Sequence, residues 1–160
     1  MKRIGYLFGL GVVAVIAWRA FQPSADAVMQ DFYAAKDRAE DMLMDPLILH
    51  SRVVHERVAQ EVADPKMQKR RYAIGFLGID GRPDALPALR RILESAEEID
   101  YFRADALSAI WQIKKEEAVQ RASTYQSRDD LLGRFAKEIT AGVHQPYIRS
   151  YWQALIGAHE

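Results

Sequence analysis

Four histidines and one basic cluster are the residues of this chain best suited to chemistry, and their spacing decides how far that goes. His50, His55, His144 and His159 are the only imidazoles. Two histidines reach one metal ion from a helix when three or four positions separate them. His50 and His55 are five apart, which turns them to different sides, and the other two have no near neighbour. No metal site is expected. The chain has no cysteine, which removes disulfides, thiolate ligands and a cysteine nucleophile. It also lacks a glycine-rich phosphate loop, a GxSxG elbow and an HExxH pair. The adjacent carboxylates Glu97-Glu98 and Asp129-Asp130 fall where turns and helix starts are expected, positions at which the helix dipole favours negative charge. No cofactor site is legible, and the pattern does not describe an enzyme.

The basic cluster Lys66, Lys69, Arg70 and Arg71 stands beside Tyr72, and Trp111 offers a second aromatic ring. Cations interleaved with aromatics can hold a nucleic acid backbone and stack its bases. Lys plus Arg and Asp plus Glu are each 22, however, so no net field draws the chain towards a polyanion. The acidic stretch Glu94 to Asp100 lies close by. These features predict a solvated helix start or a contact with a protein or an anionic lipid, and no nucleic acid partner.

The elements that must position these residues are helical throughout. Lys2 and Arg3 precede an apolar run from Ile4 to Ala17, with Trp18 and Arg19 at its far edge. A full span needs about 20 apolar residues, so Trp18, Ala20 and Phe21 would complete it at the interface. Residues 1–22 are therefore expected to form a transmembrane or signal-anchor helix, with Gly5 and Gly9 at GxxxG spacing. The preceding positive charges predict a cytoplasmic amino terminus and a body on the extracytoplasmic, periplasmic side. The alternative is a cleaved signal peptide with its small-residue site at Ala25-Asp26-Ala27, which would release the body as a secreted protein.

Residues 25–160 form the expected body. Val28, Met29, Phe32, Ala35, Ala39, Met42 and Leu43 recur at helical spacing and predict one amphipathic helix. Asp45-Pro46 restarts the chain, and Val53, Val54 and Val58 line the helix that ends before Asp64-Pro65. The stretch QKRRYAIGFLGIDGRPDALPALRRILES, 68–95, reads as an antiparallel helix pair, with Gly78 at the end of the first helix and Pro83 opening the second. Gly75 and Ala73 leave room for a close neighbour. Ser127 heads a capping-box variant before Leu131, Leu132, Phe135, Ala136 and Ile139, and Ala141-Gly142 stops that helix. Pro146 opens a last helix rich in aromatics. No stretch alternates with period two, so the body is expected to be all-α.

An offset of 33 positions lays Arg70 on Arg103, Ala73 on Ala106, Leu77 on Ile110, Asp84 on Glu117, Ala85 on Ala118 and Leu86 on Val119. Such a period with two helices per unit predicts a stacked array. The motif RxxAxxxLG, here Arg70 to Gly78, followed by DALPAL, here Asp84 to Leu89, resembles the HEAT-like repeat family, including the short repeat named after phycobilisome lyases. The likeness is good from about Asp64 to Ser95 and looser from Tyr101 to Tyr125, where Trp111 replaces the motif glycine. It implies a short α-solenoid of HEAT-like antiparallel helix pairs preceded by the anchor. It also implies that the motif arginine braces the preceding turn, pairing Arg70 with Asp64 and Arg103 with Asp100.

The expected function is that of a membrane-anchored scaffold or accessory subunit in a larger membrane complex, mediating protein-protein interaction. Tyr147, Arg149, Tyr151 and Trp152 on the terminal helix, with Arg71 and Arg103 along the array, are the expected partner-binding residues, because Trp, Tyr and Arg are enriched at binding hot spots. The alternative is a helical-repeat enzyme or binding protein acting on nucleic acid or a pigment ligand.

Overall fold

The computed structural model describes residues 23–36 and 40–146. The expected anchor and the expected terminal aromatic helix, with Tyr147, Arg149, Tyr151 and Trp152, lie outside the described residues. Among these residues there are eight α-helices and no strand. The body is all-α. None of its helices is long and apolar enough to cross a membrane.

The chain enters at Ser24, whose side chain accepts from the Ala27 N–H at 3.2 Å and starts α1, Ala25–Ala34. Val28, Met29 and Phe32 bury the inner face of α1. The helix stops earlier than its apolar spacing suggests. Ala35 leaves the helical region at φ −66°, ψ 90°, and the Lys69 ammonium donates to the Phe32 and Ala35 carbonyls, the latter by a very short contact. A cation on the open carbonyls of a helix end satisfies them and favours the dipole. After a 3-10 turn at Glu40–Met42, α2 runs over Asp45–Leu49 with Pro46 in its first turn. His50, at φ −121°, separates it from α3, Ser51–Glu61, which buries Val54, His55 and Val58. Arg57 ties α3 back to Asp26 of α1 and pairs with Glu61 one turn on.

The helix pair expected around residues 68–95 is present, with one reassignment. Helix α4 spans Arg70–Asp80 and continues through Gly78, and it is Gly81, at φ 72°, that closes it in the left-handed conformation. Its N–H returns to the Leu77 carbonyl at 3.2 Å. Gly78 serves proximity instead. A Cβ there would lie 2.8 Å from the Ala109 Cα and 2.6 Å from the Gln112 amide, so the next helix could not come as near. Pro83 heads a 3-10 turn, Pro83–Ala85, and α5, Leu86–Glu94, follows with Leu86, Leu89, Ile92 and Leu93 buried.

Helix α6, Asp100–Ile113, packs against α4 and α5 on one side and against α7 and α8 on the other. The single residue Lys114, at φ −148°, joins it to α7, Lys115–Ala122. Helix α8, Leu131–Thr140, is capped by Asp130 rather than Ser127: the Asp130 carboxylate accepts from the Gly133 N–H at 2.9 Å. The incoming loop crosses so close that a Cβ on Gly133 would sit 2.1 Å from the Arg128 carbonyl oxygen. Gly142, at φ 73°, ends the helix.

The 33-residue correspondence has a physical counterpart. Ala73 and Ala106, Leu77 and Ile110, and Ala85 and Ala118 are all buried. Arg70 donates from Nε to the Val62 carbonyl at 2.7 Å, and Arg103 from Nε to the Leu93 carbonyl at 2.9 Å, each at the end of the preceding helix. The expected partner of Arg70 is replaced. Its Nη1 meets Glu98 at 2.5 Å, while Asp64 turns back on its own loop to accept from the Lys66 N–H at 2.9 Å. Arg103 does reach Asp100, at 3.4 Å. Val119 departs from the pattern, exposed where Leu86 is buried.

Candidate functional site

The basic cluster at the start of α4 is divided, through Lys69, Arg70 and Arg71, among three tasks inside the molecule. Lys69 caps α1, and its own backbone sits at φ 53°, the left-handed region, at the start of α4. Arg70 is buried between the end of α3 and Glu98, with its guanidinium 5.0 Å from the Phe102 ring centre. Arg71 lies 4.5 Å over the Tyr101 ring, with Nε 3.5 Å from Asp105 Oδ2 and Nη1 3.6 Å from Glu40. A cluster adjacent in sequence is thus split in space. Tyr72 turns its hydroxyl to Glu40 at 3.0 Å; burial and that carboxylate push it up to about 12.

Of the expected partner-binding arginines, Arg71 and Arg103 are both largely covered, at 17% and 11% side-chain exposure. Arg103 stacks 5.5 Å from the Tyr125 ring while it holds Leu93 and Asp100. Both guanidiniums join one helix to the next. Asp105, the acid under Arg71, is itself buried on α6; desolvation raises its carboxyl to about 7, against the opposing pull of Arg71.

Two histidines sit among acids. His55 on α3 has Nδ1 2.5 Å from Asp80 Oδ2 and Nε2 2.8 Å from Asp84 Oδ1, so it clamps the turn between α4 and α5 from below. Burial works against the Asp84 charge, but His55 and Arg82 outweigh it and hold that carboxyl below its ordinary value. His144 has Nε2 2.9 Å from Ser108 Oγ and Nδ1 3.0 Å from Glu138, between the rings of Phe135 at 4.8 Å and Trp111 at 5.4 Å.

Serine, histidine and glutamate in that order are the parts of a nucleophilic triad. Their setting here serves packing. Ser108 lies in the middle of α6, where the backbone N–H groups close helical bonds and none is left to stabilise an oxyanion. Its side chain is buried as well. The trio fastens the segment after α8 onto α6. Among the described residues no group of three or more His, Asp or Glu side chains is arranged to hold a metal.

What remains open is a groove of about 710 Å³ beside α5 and α7, lined by Arg90, Glu94, Lys114, Glu117, Arg121 and Tyr125 among others. Glu117 stands at its centre. Arg90 grips it with two N–H···O bonds of 2.6 Å, and Arg121 adds Nε at 2.8 Å. The Arg90 bonds, seconded by Arg121 and opposed by desolvation, depress the Glu117 carboxyl to about 2. Arg121 extends its Nη1 to Glu94 across to α5. The 33-residue offset marks Glu117 only as the counterpart of Asp84 and leaves its pairing with Arg90 and Arg121 unexpected, although Glu117 stands four residues before Arg121. Each carboxylate meets a basic side chain on a helix two before its own in the chain, His55 on α3 for Asp84 at the head of α5 and Arg90 on α5 for Glu117 on α7. No family model, no curated protein and no solved structure matches the chain.

Proposed function

We propose that the chain is a membrane-anchored scaffold or accessory subunit, a short HEAT-like α-solenoid that presents a rigid face to a protein partner within a larger membrane complex. One observation carries the reading: the side chains most capable of chemistry brace one helix to the next, and the braces recur. Lys69, Arg70 and Arg103 each hold carbonyls at the end of an earlier helix, and Asp84 and Glu117 each hold a basic side chain on an earlier one. Residues that turn over substrate must leave their reactive atoms open to it. Here those atoms face other helices, which supports a body that holds its shape and recognises by surface.

The basic start and apolar run at residues 2–17 support the anchor, with the body on the extracytoplasmic side. Affinity purification from detergent-solubilised membranes tests the function. A reproducible stoichiometric protein partner is the expected result. Copurifying nucleic acid or a coloured ligand would instead favour a helical-repeat protein acting on those substrates, and would overturn the scaffold reading.

A further inference from the structure

The groove beside α5 and α7 has more hydrogen-bond donors than its own acceptors use. A guanidinium carries five N–H donors. Arg90 commits Nε and one Nη2 donor to Glu117, and Arg121 commits Nε to Glu117 and one Nη1 donor to Glu94. Three N–H groups on each arginine are left over. Lys114, whose side chain is 55% exposed, stands 3.7 Å from Glu117, too far for a hydrogen bond, so its ammonium also faces the opening.

The acceptors differ in how firmly they are held. Glu117 has 11% side-chain exposure and both of its oxygens taken by Arg90, so it orients the two arginine forks and does not leave. Glu116 belongs to the first turn of α7, where the helix N-terminus already favours its charge. Glu94 is different. It is the last residue of α5, its side chain is 55% exposed, and its hydrogen bond in the groove is with Arg121 Nη1. An exposed ion pair of this kind is worth little and exchanges readily. Its carboxylate holds the place that an incoming carboxylate would take.

We propose that this groove is a carboxylate-exchange site, in which a Glu- or Asp-rich segment of a protein partner displaces Glu94 from Arg121 and adds contacts to Arg90 and Lys114. The proposal rests on the scaffold reading and names the chemistry of the partner. Glu117 pre-orients the receiving forks, which reduces the ordering that binding requires. Planar guanidiniums suit carboxylate oxygens, and Lys114 adds charge that steers the approach.

The test uses the full chain in non-ionic detergent and fluorescein-labelled hexaglutamate, followed by fluorescence anisotropy. Hexaglutamate should bind and hexalysine should not. Glu94→Gln removes the internal competitor and should tighten hexaglutamate binding roughly 3- to 10-fold. Lys114→Gln should weaken it roughly 3- to 10-fold; that side chain is exposed and makes no hydrogen bond to Glu117, so the bonds from Arg90 and Arg121 that orient the site stay in place. Equal affinity in the wild type and both variants, or equal binding of hexalysine, would overturn the proposal. So would inorganic phosphate binding more tightly than the peptide. A copurified protein whose capture ignores both substitutions would sink the exchange site and leave the scaffold reading intact. Binding of hexaglutamate gated by Glu94 without any copurified partner would do the reverse.

Discussion

Helices α4 and α6 pack with Ala73, Leu77, Ala106 and Ile110 buried in one core and with the bare Gly78, which admits Ala109 to close range. Helices α5 and α7 meet through Arg90, Glu117, Arg121 and Glu94, half open to solvent. The same two helix pairs are therefore joined on one side by fit and on the other by charge. Fit is short-ranged and indifferent to salt, and it sets how far apart the pairs stand. Charge is directional and screened, and it sets the register in which they face each other. The packed side supplies most of the stability and the charged side keeps donors for other molecules.

The largest effect should come from breaking the packed side. Leu77→Ala removes a fully buried side chain and should cost about 2 to 5 kcal/mol by denaturant titration. A wild-type midpoint would mean that the two pairs do not rest on this face. Gly78→Ala is the sharper variant because helix propensity alone predicts a gain of about 1 kcal/mol. The close approach of Ala109 predicts the opposite sign, a net loss of about 1 to 3 kcal/mol. A stabilised Gly78→Ala protein would show that the helices can separate freely.

Asp105 lies on the packed side and breaks its rule, as an acid buried in a core. Its folded value, about 7, is raised above the ordinary one near 3.8. The folded state thus prefers the neutral acid, and the penalty for charging it is absent below pH 3.8, grows as pH rises, and is complete above about 7. Asp105→Asn should stabilise the fold against denaturant at pH 8 by on the order of 1 to 2 kcal/mol and change little at pH 4. Equal effects at both pH values would contradict the burial of that carboxyl.

On the charged side the sign reverses and the size falls. Glu117 is depressed to about 2 from 4.5, so its contribution is present above pH 4.5 and is lost as pH falls towards 2. Glu117→Gln should cost about 1 kcal/mol at pH 7 and low salt, and the difference from wild type should shrink in acid and at high salt. A cost that salt leaves unchanged would place Glu117 among the packing residues.

The two sides also differ in how much of them can be read from sequence. Small and large positions at helical spacing identify the inner faces of α4, α5 and α6, because burial imposes a period that local order records. Caps and turns are ambiguous by a few residues. Gly78 and Gly81 are equally plausible helix ends, and only the arrival of Ala109 shows that Gly78 is wanted for closeness. Ser127 and Asp130 are both good capping residues, and the crossing of the loop at Gly133 selects the second. Ionic partners are the least legible. Lys69 finds carbonyls at 32 and 35, and His144 finds Ser108, across distances that no local spacing encodes. Tyr147, Arg149, Tyr151 and Trp152 fall outside the described residues, so the comparison between terminal and groove surfaces belongs to the binding experiment.

The position of α6 has a kinetic consequence. Its neighbours α4, α5, α7 and α8 are all within two helices of it along the chain, so the contacts that define the middle of the body close short loops. Chains dominated by such local contacts fold in microseconds to milliseconds, faster than those that must first bring distant segments together. During synthesis the α4–α5 pair emerges with an apolar flank uncovered until α6 follows it. A ribosome that pauses before Asp100 would hold a nascent chain with that flank exposed to aggregation.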